Sequence, residues 1–232
     1  MQKFSKLVAV LAFAAISQVS HADLTFNLGT VINGSTPSGS GPWLTATFHD
    51  VSSGDVTLTL TNHMGSNQFI TDVVFDSIVN PTTLTFTRKD TTPTVPASTV
   101  TKHSTRDLTG DSSLKAGLFD IDISFGTSGG TANQFNSGNG AVIFDIKGTG
   151  LTSSSFNMLS LNGGAGFLGT DYLMAAKVQG IPISGSTSTT SGSIGYTNVT
   201  AVPEPEVYAM MGAGLLLMGF VAHRRRSSQS LS

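Results

Sequence analysis

Polar and apolar residues alternate along most of this chain. In 44–49, Leu44, Ala46 and Phe48 fall on one side and Thr45, Thr47 and His49 on the other. In 56–61, Val56, Leu58 and Leu60 alternate with Thr57, Thr59 and Thr61. Successive side chains of a strand point to opposite faces, so each run predicts a strand with one buried face. The turn formers Ser52-Ser53-Gly54-Asp55 lie between the two runs and predict an antiparallel hairpin.

The same period recurs at 23–28, and at 69–75 with Phe69, Thr71, Val73 and Phe75 on one face. It recurs at 83–87 and at 118–125, where Phe119, Ile121, Ile123 and Phe125 alternate with Asp120, Asp122 and Ser124. The segment 141–146 predicts a strand buried on both faces, and 172–178 a further strand. A Gly/Ser/Pro loop at 33–42, Asn80-Pro81 and a glycine loop at 163–169 punctuate the runs. Residues 153–158 predict one or two helical turns capped by Ser or Thr. The segment 88–115 holds two prolines and few large apolar residues and predicts a long excursion. Ser/Thr/Gly-rich sequence at 183–194 and the segment 196–201 lead out of the body. Short strands, frequent turns and no sustained helical period predict an all-β fold. The expected architecture is an antiparallel β-sandwich, jelly-roll-like, with a closed barrel as the alternative.

Two segments break the alternation. Residues 1–22 combine Lys3 and Lys6, an apolar centre over 7–16 and the small-residue exit Ser20-His21-Ala22. This predicts a secretory signal peptide cleaved after Ala22, with a first membrane anchor as the alternative. At the other end, Val207 to Ala222 is 16 residues without a charge, followed by His223 and then Arg224, Arg225 and Arg226. As a helix it spans roughly 24 Å, short of the roughly 20 residues of an ordinary membrane span. Tyr208 and the arginine stems extend it into the two interfaces. Pro205 marks its start, and the three arginines predict a cytoplasmic stop that leaves the body outside. The expected organisation is a signal peptide at 1–22, a β-rich ectodomain at 23–200 and a tail at 201–228.

Charge sharpens this picture. The chain has 232 residues, no cysteine and 11% charged residues, against roughly a quarter in an ordinary domain. Between Asp23 and Glu206 there are seven basic residues and all fourteen acidic ones. Five of those seven cations lie within 88–115. An acidic body argues against nucleic acid as a partner. Both glutamates, Glu204 and Glu206, are in the tail, and the body is rich in the Thr and Val that favour strands.

Pro203-Glu204-Pro205, the apolar 207–222 segment and Arg224-Arg225-Arg226, in that order at the C-terminus, resemble the PEP-CTERM sorting tail of exported Gram-negative proteins. The resemblance implies recognition by an exosortase, a membrane-embedded cysteine protease. It implies transient anchoring in the inner membrane by a single helix, then display at the cell surface or release among extracellular polysaccharide. Glu206 departs from the small residue many members carry there, which affects where a cut would fall. The body resembles the uncharacterised β-rich ectodomains of such proteins through 42–48, 56–60, 155–157 and 175–181, a likeness that carries a fold and no activity.

The candidate chemistry is sparse. Gly126-Thr127-Ser128-Gly129-Gly130 fits G-x-S-x-G, but 131–140 predicts no helix to complete a nucleophile elbow. Gly164-Ala165-Gly166-Phe167-Leu168-Gly169 fits G-x-G-x-x-G without the strand, helix and acidic partner of a dinucleotide site. It reads as a loop needing positive φ. His49, His63 and His103 have no ligand-like spacing. Asp107 with Asp111, and Asp120 with Asp122, raise calcium as an alternative to a wet strand face. Rows of threonine, Thr57/Thr59/Thr61 and Thr83/Thr85/Thr87, suit either a solvated sheet or a regular lattice. Trp43 and Tyr172 are candidates to stack on a sugar ring if exposed. The expectation is a non-enzymatic structural or adhesive surface protein without cofactor or metal. A carbohydrate-binding module is the alternative.

Overall fold

The computed structural model describes residues 23–65, 67–90, 97–110, 113–128, 130 and 133–197. Ala22, Pro203, Glu204, Pro205 and Arg224 to Arg226 lie outside the described residues, as do the expected signal helix and C-terminal helix. Among the described residues no helix is long and apolar enough to cross a membrane.

The body is all-β. In chain order its strands are β1 (Leu24–Leu28), β2 (Thr30–Gly34), β3 (Leu44–Ser52), β4 (Asp55–Asn62), β5 (Phe69–Phe75), β6 (Thr85–Arg88), β7 (Ser98–Lys102), β8 (Ile121–Phe125), β9 (Val142–Lys147), β10 (Met174–Pro182) and β11 (Thr189–Tyr196). They form two antiparallel sheets, ordered β1-β3-β4-β9-β6 and β2-β11-β10-β5-β8-β7. This is consistent with the expected sandwich. Only β3/β4, β7/β8 and β10/β11 are consecutive neighbours, so the other connections between named strands pass from one sheet to the other.

The predicted hairpin is present, with Leu58 opposite Phe48 and Thr59 opposite Thr47. Strict alternation puts Val56, Leu58 and Leu60 inside and Thr57, Thr59 and Thr61 outside. The outward face carries a cross-strand row, Thr25–Thr47–Thr59. Inward residues of both sheets share one core. Phe48 stacks on Phe156 at 4.2 Å between ring centroids and meets Phe26 and Phe75 edge-on. Phe156 comes from a 3-10 turn, Ser153–Phe156, closed by a reciprocal capping box between Thr152 and Ser155. This is the helical turn expected at 153–158.

Three strands escape the alternation rule. β7 lies inside 88–115, so that segment is not one long excursion. Its Ser98-Thr99-Val100-Thr101-Lys102 is an edge strand paired only to β8, and an edge has less apolar surface to bury. β2 occupies the start of the expected 33–42 loop, at the other edge of the same sheet. β11 runs through the Ser/Thr/Gly-rich segment because its partners demand small residues. A Cβ at Gly192 would lie 2.1 Å from the Ser35 carbonyl oxygen, and one at Gly195 would lie 2.5 Å from the Tyr172 ring. β5 is buried on both faces, not one, since it sits inside its sheet between β10 and β8.

Side chains bridge the sheets where edge strands β6 and β7 face each other. Arg88 donates Nε–H and Nη2–H to the two Asp90 oxygens at 2.5 and 2.6 Å, and Nη1–H to Ser98 Oγ at 2.8 Å. Its guanidinium also lies over the Phe144 ring, 5.4 Å from the centroid. Lys102 Nζ donates to the Leu84 carbonyl at 2.5 Å.

Candidate functional site

Among the described residues, two buried aspartates at the end of β5 and just before β8 have their ionisation pushed well up. β5 is an apolar strand ending at Phe75, and Asp76 follows directly with 0% exposure. The chain then turns. Ser77 Oγ accepts the Val79 N–H at 3.1 Å, Ile78 N–H donates to the Ser155 carbonyl at 2.9 Å, and the Asn80 side chain caps the 3-10 turn at Pro81–Thr83. Asp120 approaches from the other side. Leu108 and Phe119 form an isolated bridge, and His103 N–H donates to the Asp120 carbonyl at 2.9 Å.

One backbone hydrogen bond joins the two aspartates, and a second ties Asp120 to the residue after Asp76. Asp120 N–H donates to Asp76 Oδ1 at 2.9 Å, and Ser77 N–H donates to Asp120 Oδ1 at 3.2 Å. The two carboxyls are within hydrogen-bonding reach of each other. Asp76 Oδ2 is buried and no donor faces it among the described residues. A buried oxygen without a donor is costly, and a proton retained on Asp76 turns it into a donor toward Asp120. Burial pushes Asp76 up to about 8, the Asp120 charge adds to the rise, and Arg106 opposes it. Burial likewise pushes Asp120 up to about 7, against the Ser77 N–H and the Arg106 charge. The pair therefore holds a proton near neutrality and presents one donor and one acceptor.

Only Asp120 reaches open space. It lines a cleft of about 530 Å³ where three connections meet: β5 to β6, β7 to β8 and β9 to β10. Arg106 lines the same cleft and donates Nη1–H to the Leu159 carbonyl at 3.1 Å. Ser104, Thr105 and Asn80 add hydroxyl and amide groups, and Met158 and Pro81 add apolar surface. Ile78 and Leu161 stand at its rim with 68% and 42% exposure. A cation, a protonatable carboxyl and apolar walls together suit a polar ligand with one apolar face.

The alternation assigned Asp120 with Asp122 to a wet face. Asp120 is instead 5% exposed, because the chain bends there one residue before β8 begins. Asp76 is the residue sequence reasoning missed, and its signal was a carboxylate ending a strand apolar on both sides. Trp43 and Tyr172 are not sugar platforms. Both are 6% exposed: Trp43 lies in the main core with Nε1–H donating to the Gly39 carbonyl at 3.3 Å, and Tyr172 packs with Val74, Phe119 and Ala175.

The other candidates remain apart. His49 pairs with Asp23 at 2.5 Å, His63 Nε2 bonds Thr45 Oγ1 at 3.0 Å, and His103 pairs with Asp107 at 2.6 Å. Among the described residues no group of three or more His, Cys, Asp or Glu could hold a metal ion. Asp111 lies outside the described residues, and Ser128 sits on an exposed loop after β8. Gly164, Gly166 and Gly169 all have positive φ, as a glycine loop requires. No family model, curated protein or solved structure matches the chain.

Proposed function

We propose that this is an exported, sorted surface protein: a jelly-roll-like β-sandwich over 23–200, delivered by an N-terminal signal peptide and a C-terminal exosortase-dependent tail. The tail anchors it transiently in the inner membrane of a Gram-negative cell. The body then acts at the cell surface or in the extracellular matrix as a non-enzymatic structural or adhesive component associated with exopolysaccharide. The observation that carries this is the order Pro203-Glu204-Pro205, an uncharged 207–222 segment and Arg224-Arg225-Arg226. Frequent passage between sheets supports the jelly-roll-like reading. Among the described residues the first and last strands meet across the two sheets, with Phe26 and Tyr196 rings 5.5 Å apart. Fractionating host cells with and without their exosortase tests the proposal. The body should reach the surface or medium only in cells that have the protease; equal distribution in both strains would defeat it.

The cleft at Asp120 and Arg106 favours a second reading, a carbohydrate-binding module at the cell surface. Its hydroxyl, amide and guanidinium donors beside apolar Ile78 and Leu161 match a sugar's ring of hydroxyls and its apolar C–H face. A glycan array probed with the full-length chain, and with its Arg106→Gln variant as control, checks it.

A further inference from the structure

We infer that the Asp120–Arg106 cleft takes a sugar carrying a carboxylate, of the uronic acid class, and takes it together with a proton held by the Asp76–Asp120 pair. This rests on the carbohydrate-binding reading and narrows it.

Arg106 is the cation of the cleft. It lines the cleft and directs one N–H group to the Leu159 carbonyl. A guanidinium has five N–H donors in a planar fork, a geometry that matches a carboxylate with two parallel hydrogen bonds. A neutral sugar offers that fork no second, bidentate carboxylate. The rim supplies the other half of the match: Ile78 and Leu161 offer apolar contact to a pyranose ring, and Ser104 and Thr105 offer hydroxyls to its hydroxyls. A volume of about 530 Å³ admits a short oligosaccharide segment.

Proton coupling follows from the neighbours. A ligand carboxylate on Arg106 would lie near the Asp120 carboxyl, and two unprotonated carboxylates repel each other. Below about pH 7 both Asp76 and Asp120 hold a proton, and that repulsion is gone. Backbone bonds Asp120 N–H to Asp76 Oδ1 and Ser77 N–H to Asp120 Oδ1 fix the pair in place whichever oxygen is protonated. The other charged groups on the packed segments are few. The β7–β8 connection contributes His103, Arg106, Asp107 and Lys115, with His103 and Asp107 paired to each other at 2.6 Å, and Asp111 on it lies outside the described residues. The 77–84 and 153–161 segments contribute none. Burial raises both aspartates into the neutral range, so the coupling falls between mildly acidic and mildly basic pH.

The test is calorimetric titration of the folded full-length chain with a hexuronate oligosaccharide, a neutral hexose oligosaccharide of equal length, and acetate. The hexuronate should bind at pH 5.5 and lose roughly tenfold or more in affinity by pH 8.5, while acetate and the neutral sugar bind at least tenfold more weakly. Arg106→Gln should lose roughly tenfold, and Arg106→Lys should keep part of the affinity. Asp120→Asn should bind with little dependence on pH. If that variant fails to fold by circular dichroism, the Arg106 pair decides. No hexuronate binding at pH 5.5, equal acetate binding, or affinity unchanged by Arg106→Gln would overturn the inference. Equal binding of the neutral sugar would overturn it too, yet leave the broader carbohydrate reading standing.

Discussion

The Asp120 backbone N–H donates to Asp76 Oδ1 at 2.9 Å across 44 residues of sequence, which ties the exit of β5 to the entry of β8 through two buried carboxyls. Each has its ionisation pushed up by burial. The folded state therefore binds more protons than the unfolded chain between the ordinary aspartate value, about 3.9, and about 8. The pair's contribution to stability is full below that lower limit and is lost as pH rises through about 7 to 8. Thermal unfolding of the full-length chain should show a lower Tm at pH 9 than at pH 5.5. Asp76→Asn should flatten this slope, because an amide cannot be ionised. A Tm that rises over the interval, or the same fall in Asp76→Asn, would remove the shared proton from the account.

Asp90 behaves oppositely. Burial opposes its ionisation, but the Arg88 hydrogen bond and the Ile143 N–H outweigh that and hold its carboxyl below the usual range. Its contribution is present above the usual aspartate value and is lost as pH falls through the depressed one. Arg88→Ala would leave the Asp90 carboxylate, 7% exposed, without its cation and would unhook Ser98 on β7. Chemical denaturation should show a loss of about 3 kcal/mol. A loss below about 1 kcal/mol would mean that the pair behaves as an ordinary surface salt bridge.

Trp43 is the sole tryptophan, so its fluorescence reports one place in the core. Emission should be blue-shifted, poorly quenched by acrylamide and unchanged by saccharide. Trp43→Ala should cost about 3–5 kcal/mol in denaturant unfolding. Quenching as strong as that of a free indole would place the ring at the surface instead.

Gly180 lies where the β10–β11 register shifts between Val178 and Ile181, with φ of 76°. A Cβ there would lie 2.1 Å from the Asn67 carbonyl oxygen. Gly180→Ala should therefore destabilise by more than about 1 kcal/mol, whereas Gly39→Ala, with nothing within 4 Å, pays only for its positive φ. Equal losses in the two variants would contradict the close approach at Gly180.

Legibility from sequence follows how much apolar surface each segment buries. β3 and β4 alternate so regularly that both their faces and their hairpin can be read from the residues alone. β7 and β11 cannot, since Thr and Ser on an edge and glycines in a tight packing site leave no apolar period. The 153–156 turn was readable from its Ser/Thr cap. The cleft was not, because Asp76 and Asp120 meet only through the pairing of β5 with β8, and no local pattern carries that pairing. Trp43, beside a glycine-rich loop, reads as a platform from sequence alone, while its burial and that of Tyr172 depend on how the elements pack.

The central claim, that this body is cargo between two processed ends, is tested most directly by intact-mass analysis of the protein recovered from its host. The account predicts a chain that begins after Ala22 and lacks Arg224, Arg225 and Arg226. A full-length mass in cells that contain the sorting protease would contradict it.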